Sequence, residues 1–465
     1  MIQLHTQSVS AAVIGETHGL KLTQLFKEYG ATMKQAIEDL YAQKETVGGW
    51  RKWLNLGYNE ALYSEMEAFG KQTQGQYTDL VILGIGGSSL GGFALLKALL
   101  HPYWNNLPDA KRNGRPRYHF IENVDSDQIQ GLLDVLDAKT TLVNVITKSG
   151  TTAETMSAFL TFKSWLETQL GSDEAKKRIV ATTDQKKGIL RQIANEESYQ
   201  TFEVPDDVGG RFSIFSAVGL LPAAVCGVNI RELQRGIQDM DSVLKESDLN
   251  QNPAAQNALI QYLLYQKGKP ISVFMPYSYR LAPVSDWYVQ LWAESLGKKE
   301  SLSGQVIHVG PTPVRAVGVT DQHSQVQLYN EGPFDKVVTF VQVANTDHTL
   351  TIPNAFPNSE DLAYLGNKTF HQLLTAEFES TRASLTRNNR PHVTLTLPQV
   401  DAYHFAQLLY FLEVQTALAG SLFNIDPFNQ PGVELAKVYT NALMGRPGFE
   451  HLVAEAKGEA LALSK

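Results

Sequence analysis

Apolar and polar positions change rhythm twice along this chain. Residues 21–70 carry apolar positions at helical spacing in LTQLFKEYG, MKQAIEDLYA and NEALYSEMEAFG, and predict an N-terminal helical segment. From residue 79 short, solid apolar runs take over: DLVILGI (79–85), RYHFIENV (117–124), TLVNVIT (141–147) and IVATT (179–183). Stretches of helical period lie between them, in FALLKALL and at 127–136 and 153–169. An unbroken apolar run bounded by glycine marks a strand covered on both faces. Strands alternating with helices make βαβ units and a parallel sheet.

A second alternating series follows SDLNQNPAAQNA. Its strands are expected at PISVFMP (270–276), QVIHVG (305–310), KVVTFVQV (336–343) and HVTLTLP (392–398), with helices at 256–266, 284–297, 368–378 and 402–418. The predicted fold class is α/β, with two doubly wound parallel-sheet domains between helical N- and C-terminal segments. The expected boundaries are 1–70 for the N-terminal helical segment, 71–245 and 246–425 for the α/β domains, and 426–465 for the C-terminal helical segment. Ligands of open parallel sheets gather at the carboxyl ends of the strands, and two unusual loops fall there.

The first loop is LGIGGSSLGG (83–92). A dinucleotide fingerprint would need a third glycine where Ser89 stands, and a Walker loop would need lysine where Phe93 stands. Glycines here could also serve only to let strand and helix pack closely. The second loop, TKSGTTAET (147–155), changes the balance because it too closes a strand and opens a helix. It adds the hydroxyls of Thr147, Ser149, Thr151 and Thr152 to those of Ser88 and Ser89. A helix N-terminus attracts anions through its free amides and its dipole. Two such ends would grip a terminal phosphate as a handle, without metal. Within this loop Thr151-x-x-Glu154 has the spacing of a capping box, which gives Glu154 a structural role.

If the phosphate only anchors, other groups must do the chemistry. DDVGGRFSIFSAVGLLP (206–222) sets Arg211 at the start of a strongly apolar helix, where the dipole disfavours a cation. It either answers Asp206 or Asp207 at the surface or is held in a cleft facing a developing oxyanion. In SDWYVQLWAESLGKK (285–299), Trp287, Leu291 and Glu294 share an apolar stripe. Burial disfavours a carboxylate's charge and suits it to general-base work; the alternative is a turn toward solvent and a pair with Lys298. His323 and Lys437 carry weaker signals, since a lone histidine is commonly structural and a lysine commonly solvated.

Composition narrows the partners. The 40 basic and 48 acidic residues leave a net charge of −8, which argues against broad nucleic-acid or anionic-membrane binding. One cysteine, Cys226 in LLPAAVCGV, can form neither an internal disulfide nor a zinc cluster and is expected as a buried thiol. No run reaches the ~18 apolar residues of a membrane helix. The N-terminus lacks the basic start and apolar core of a signal peptide, so a cytoplasmic location is expected. No paired His or Asp/Glu spacing suggests a metal.

In their order along the chain, LGIGGSSLGG, TKSGTTAET, DVGGRFSIFSAVGLLP, AESLGK, GVTDQHSQVQLYNEGP and NQPGVELAK resemble the glucose-6-phosphate isomerase (phosphoglucose isomerase) family in its compact bacterial form. The likeness runs from about residue 75 to 445. It implies sugar-isomerase (SIS-type) α/β domains and reversible conversion of glucose 6-phosphate and fructose 6-phosphate. It makes Glu294 the base that moves a proton between C2 and C1, and Arg211 the cation that offsets the cis-enediolate. Lys437 and His323 would serve ring opening, and Gln430 would touch substrate. Ser88, Thr147, Ser149 and Thr152 would hold the 6-phosphate, with Lys148 shaping that loop. No cofactor is implied, and the partners are a hexose 6-phosphate and a second copy of the chain. His323 would reach the neighbouring subunit's site. Leu296 stands where others carry Asn, Pro431 where many carry Trp, and Gly150 where longer members carry an aromatic residue. An isomerase that also accepts mannose 6-phosphate and a non-catalytic sugar-phosphate sensor are the rival readings; a sensor would leave Arg211 and Glu294 idle.

Overall fold

The computed structural model describes residues 1–458, so 459–465 of the expected C-terminal segment lie outside it. Its frame is two five-stranded sheets. Counting from β1 (Gln3–His5), the first sheet takes β2 (Asp79–Leu83), β3 (Arg117–Ile121), β4 (Thr141–Ile146), β5 (Ile179–Thr183) and β6 (Gln200–Glu203). They run parallel in the order β3-β2-β4-β5-β6. This is a doubly wound sheet whose direction of winding reverses between β2 and β4, so the loops leaving those strands part around a crevice. Strands β2, β4 and β5 are buried at every position, as their solid apolar runs require.

The second sheet repeats the plan with β7 (Ile271–Pro276), β10 (Thr312–Arg315), β11 (Lys336–Val343) and β12 (His392–Leu397), in the order β1-β12-β11-β7-β10. Only β1 runs antiparallel. The N-terminal segment, expected to be helical throughout, therefore opens as an edge strand of the second sheet before its helices Leu22–Ala42 and Glu60–Thr73.

QVIHVG does not supply the expected strand of this parallel sheet. Val306–Val309 (β9) pairs antiparallel with Lys298–Glu300 (β8) in a separate two-stranded ribbon. Its residues alternate in exposure instead of being buried on both faces. The sheet strand is TPVR just beyond it, at the edge position where Pro313 costs no central ladder bond.

The helix Ala402–Leu422 is buried almost from end to end and packs on the helices Ile230–Leu244, Pro253–Gln266 and Ala282–Leu296. A helix apolar on every side belongs in a core. That core is continuous across both sheets, including Leu80 and Ile82 of the first and Val337, Val341 and Leu395 of the second. Cys226 lies in it as a free thiol, pushed up to about 12 by burial. Among the described residues no helix is long and apolar enough to cross a membrane.

Candidate active site

Arg211 sits in a tight turn, Gly210–Phe212, and not at a helix start. The apolar helix begins only at Ala217. Its N-cap is Ser216, whose Oγ accepts from the Val218 amide at 3.2 Å. The dipole argument for Arg211 is therefore void. Its burial has a different cause: every N–H of the guanidinium has a partner. Nε donates to Ser295 Oγ at 2.8 Å, and Nη1 to Glu294 Oε2 at 3.2 Å and Gln430 Oε1 at 2.9 Å. Nη2 donates to the carbonyls of Pro427 at 2.5 Å and Asn429 at 3.1 Å. Only 2% of the side chain is exposed. Burial draws its pKa down and the Glu294 carboxylate pulls it back up. The surface alternative fails because Asp207 pairs with Lys52, and Asp206 lies near Lys148 and Lys187.

Glu294 lies on the helix Ala282–Leu296, behind buried Trp287 and Leu291. Its side chain is 33% exposed, so the carboxylate stands at the edge of the apolar stripe and opens to a cavity. Gln290, one turn earlier, donates to Glu294 Oε1 at 3.2 Å. Lys298 does not pair with the carboxylate. Its Nζ donates to the main-chain carbonyl of Glu294 and, at 2.9 Å, to that of Asn429. Burial and then the neighbouring Arg211 cation push the Lys298 ammonium down to about 8, against Asp426 and Glu294. A cavity of about 780 Å³ opens here, lined by Glu294, Lys298, Asp426, Asn429, Gln430 and Val433 among others.

The glycine loop closes one side. Gly87 lies so near the Arg211 turn that a Cβ on it would stand 2.1 Å from the carbonyl carbon of Gly210. Gly86 (φ +58°) faces the amide of Gln290. Glycine is thus required at 87 by the contact with the Arg211 turn, and favoured at 86 by the left-handed backbone. Ser88 is half-buried and has no side-chain partner among the described residues, whereas buried Ser89 donates to the Glu122 carboxylate. On the adjacent strand, the 147–152 loop folds around its own hydroxyls. Thr147 and Thr152 Oγ1 lie 3.4 Å apart, Ser149 and Thr151 share a 2.8 Å hydrogen bond, and the Gly150 amide donates to Thr147 Oγ1 at 3.3 Å. The expected capping box is absent: the N-cap is Thr152, without a side-chain cap bond, because the Thr151 hydroxyl is taken by Ser149. Lys148 Nζ donates to the carbonyls of Pro205, at 3.0 Å, and Asp206.

His323 and Lys437 are not brought to these groups within one chain. His323 is exposed in the turn Thr320–His323 and makes no side-chain hydrogen bond among the described residues. Lys437 is 62% exposed and pairs with Glu434 at 2.8 Å, one turn beyond Val433. Other participants escape a reading of the sequence alone. Gln290 is visible there only as a polar residue four places before Glu294 on its helix face. Ser295 and the carbonyls of Pro427 and Asn429 carry no local signal.

The doubly wound sheet carries two hydroxyl-bearing strand-to-helix loops, and the first of them packs against the turn whose buried guanidinium holds the Glu294 carboxylate at a cavity. The class is that of the sugar-phosphate isomerases. Residues 61–461 match the Phosphoglucose isomerase family. The chain is 43% identical over 438 residues to glucose-6-phosphate isomerase of Carboxydothermus hydrogenoformans, covering 94% of this chain and 93% of that one. It is 44% identical over 391 residues to the enzyme of that name from Rubrobacter xylanophilus, covering 84% and 88%. A hypothetical protein from Thermus thermophilus superposes with TM-score 0.84 at 34% identity, covering 96% of this chain and 100% of that one. The Chlamydia trachomatis glucose-6-phosphate isomerase shares the fold, with TM-score 0.77 at 21% identity over 100% of this chain and 91% of that one. The chain belongs to the phosphoglucose isomerase family.

Proposed function

We propose that the chain interconverts glucose 6-phosphate and fructose 6-phosphate, the step shared by glycolysis and gluconeogenesis, with Glu294 as the base and Arg211 as the oxyanion partner. Aldose and ketose differ in where two protons sit: one moves between C2 and C1, and one passes between the oxygens on those carbons. Glu294 takes the proton from C2 of the open-chain aldose and returns it to C1, so one carboxylate on one face serves both directions. Charge collects on oxygen in the enediolate between the two transfers. A guanidinium already fixed in place offsets that charge. Positioned proton transfer contributes roughly 10²–10⁴-fold, and one oxyanion donor about 10²–10³-fold.

The observation that carries this reading is the Arg211–Glu294 contact at 3.2 Å, with the arginine immobilised and the carboxylate open to the cavity. Both Nη1 protons have protein acceptors, so a substrate oxygen must displace Glu294 or Gln430 from Arg211. Displacing the carboxylate frees the base at the moment it is needed.

Ser88, Thr147, Ser149 and Thr152 are assigned to the 6-phosphate, with Lys148 shaping the loop and Gln430 contacting the sugar. Lys437 and His323 are assigned to ring opening. His323 would act in a neighbouring subunit's site, and its exposure without a partner among the described residues supports a homodimer. We read the two α/β units as domains at about 71–245 and 246–425, each built on one sheet. We assign the reaction to the cytoplasm, since phosphorylated sugars do not cross membranes unaided. No step calls for a metal or other cofactor.

Glu294→Gln is the test. It keeps the shape and removes the base, so kcat should fall ~10²-fold or more while the dissociation constant for fructose 6-phosphate, measured by calorimetry, changes little. Turnover within about tenfold of wild type would remove Glu294 from this role.

A further inference from the structure

We propose that residues 41–58 form a strap that sets the phosphate-loop lysine, with Trp50 as the positioning residue for Lys148. This rests on the assignment of the 147–152 loop to phosphate. Both ends of the strap are tied to one buried carboxylate. Asp241 accepts from Tyr41 at 3.0 Å on Oδ1 and from Tyr58 at 2.7 Å on Oδ2, and a third phenol, Tyr410, also donates to it. The apex is tied to a second carboxylate. Asp207 accepts from the Gly48 amide at 3.0 Å and pairs with Lys52 Nζ at 3.0 Å, while its carbonyl accepts from the Lys52 amide at 3.3 Å. Asp207 adjoins the two carbonyls, of Pro205 and Asp206, that receive the Lys148 ammonium.

Trp50 stands between these apex ties with φ +55°. A bulky side chain seldom adopts that backbone unless its surroundings impose it, and such residues cluster at functional sites. The ring it projects lies 4.9 Å from Lys148 Nζ. Two of the three ammonium protons have carbonyl acceptors, and the indole face covers a further side of the group. A lysine otherwise swings on a four-carbon stem, so an aromatic face that attracts the cation fixes where its charge stands. The next residue, Arg51, lies 4.8 Å over the ring of Phe428. Phe428 falls between Pro427 and Asn429, whose carbonyls receive Arg211. The strap thus touches the phosphate end of the site through Trp50 and the oxyanion end through Arg51. A second cavity, of about 650 Å³, lies along it and shares Asp426 and Leu302 with the first.

The test compares Trp50→Ala and Trp50→Phe with wild type at fixed ionic strength, reading kcat, KM for fructose 6-phosphate and the inhibition constant of inorganic phosphate. Trp50→Ala should raise KM and the phosphate constant together, roughly 3- to 10-fold, and leave kcat within about twofold. Trp50→Phe should restore most of the loss. In a Lys148→Met background, Trp50→Ala should add less than about twofold, because the two residues act as one unit. Unchanged constants in Trp50→Ala, a full effect without Lys148, or a loss confined to kcat would each overturn the proposal. If Trp50→Ala does not fold, Lys52→Met, which loosens the apex alone, carries the same comparison. Wild-type enzyme that phosphate fails to inhibit would refute the phosphate-site reading. A phosphate-sensitive wild type with an indifferent Trp50→Ala refutes only the strap.

Discussion

Replacing Arg211 by lysine keeps the charge and removes the fork, and the structure lets the consequence be worked out. The guanidinium spends five N–H groups on five acceptors, spread across the Glu294 helix and the 427–430 segment. A lysine has three protons on one nitrogen and reaches at most three of them. At least two buried or part-buried acceptors then lose a charged donor, at about 1.5–3 kcal/mol each. The Arg211–Glu294 attraction adds little to this sum, because the carboxylate is one-third exposed and screened. The expected loss of stability is therefore about 3–6 kcal/mol, a large part of the roughly 5–15 kcal/mol that holds a domain folded. On catalysis, a point charge that no longer fits between Gln430 and the carbonyls should cost about 10²–10³ in kcat, as for an oxyanion donor removed.

Two measurements check this: urea unfolding for stability, and initial rates from fructose 6-phosphate with the product oxidised by a coupling dehydrogenase. The two effects must be separated, so rates are read at a temperature where both proteins remain folded. A kcat loss much greater than the KM change marks a group acting in the transition state. If the lysine variant keeps kcat within about threefold and stability within about 1 kcal/mol, neither the fork nor the oxyanion role survives.

Two further outcomes follow from the loop and from Lys298. Gly150 has φ +70°, and a Cβ there would lie 2.2 Å from the Leu190 amide nitrogen; Gly150→Ala should strain the loop by about 1–3 kcal/mol and raise KM for fructose 6-phosphate more than it lowers kcat, and a wild-type KM would refute the loop's role. Lys298, pushed from 10.5 down to about 8, sheds its charge as pH rises through that value, whereas in the unfolded chain it stays charged to higher pH. Between about 8 and about 10.5 the unfolded state binds the extra proton, so stability gains with rising pH while the site loses a cation. Wild type should therefore show an alkaline fall in kcat together with a rise in urea midpoint relative to Lys298→Met; identical pH profiles for the two proteins would refute the assignment.

How much of this could be read from the sequence depends on how far apart the interacting residues lie. The strands β2, β4, β5, β7, β11 and β12 announce themselves because burial on both faces leaves a local signature in consecutive apolar residues. Of the edge strands of the two main sheets, β3 is legible in RYHFIENV and the other three are not. Gln3–His5, Gln200–Glu203 and Thr312–Arg315 are short and half-covered, and one contains a proline, so each resembles the loop beside it. The same distinction divides the site. The two hydroxyl-bearing loops are contiguous in sequence and legible there, as is the carboxylate on its helix stripe.

What positions Arg211 is not contiguous. Its partners lie 84 residues on at Ser295 and 219 on at Gln430, and no pattern around Arg211 names them. The strongly apolar run beyond Arg211 suggests a helix start at the arginine itself, yet Ser216 takes the cap and leaves Arg211 in the preceding turn. The absence of a side chain at Gly87 is what allows that turn to lie against the glycine loop. The four glycines of LGIGGSSLGG that follow Ile85 and Leu90 therefore carry two kinds of information. They mark a backbone that a ligand can approach closely, which is local. They also mark the place where the turn carrying Arg211 must approach it, which only the folded chain reveals.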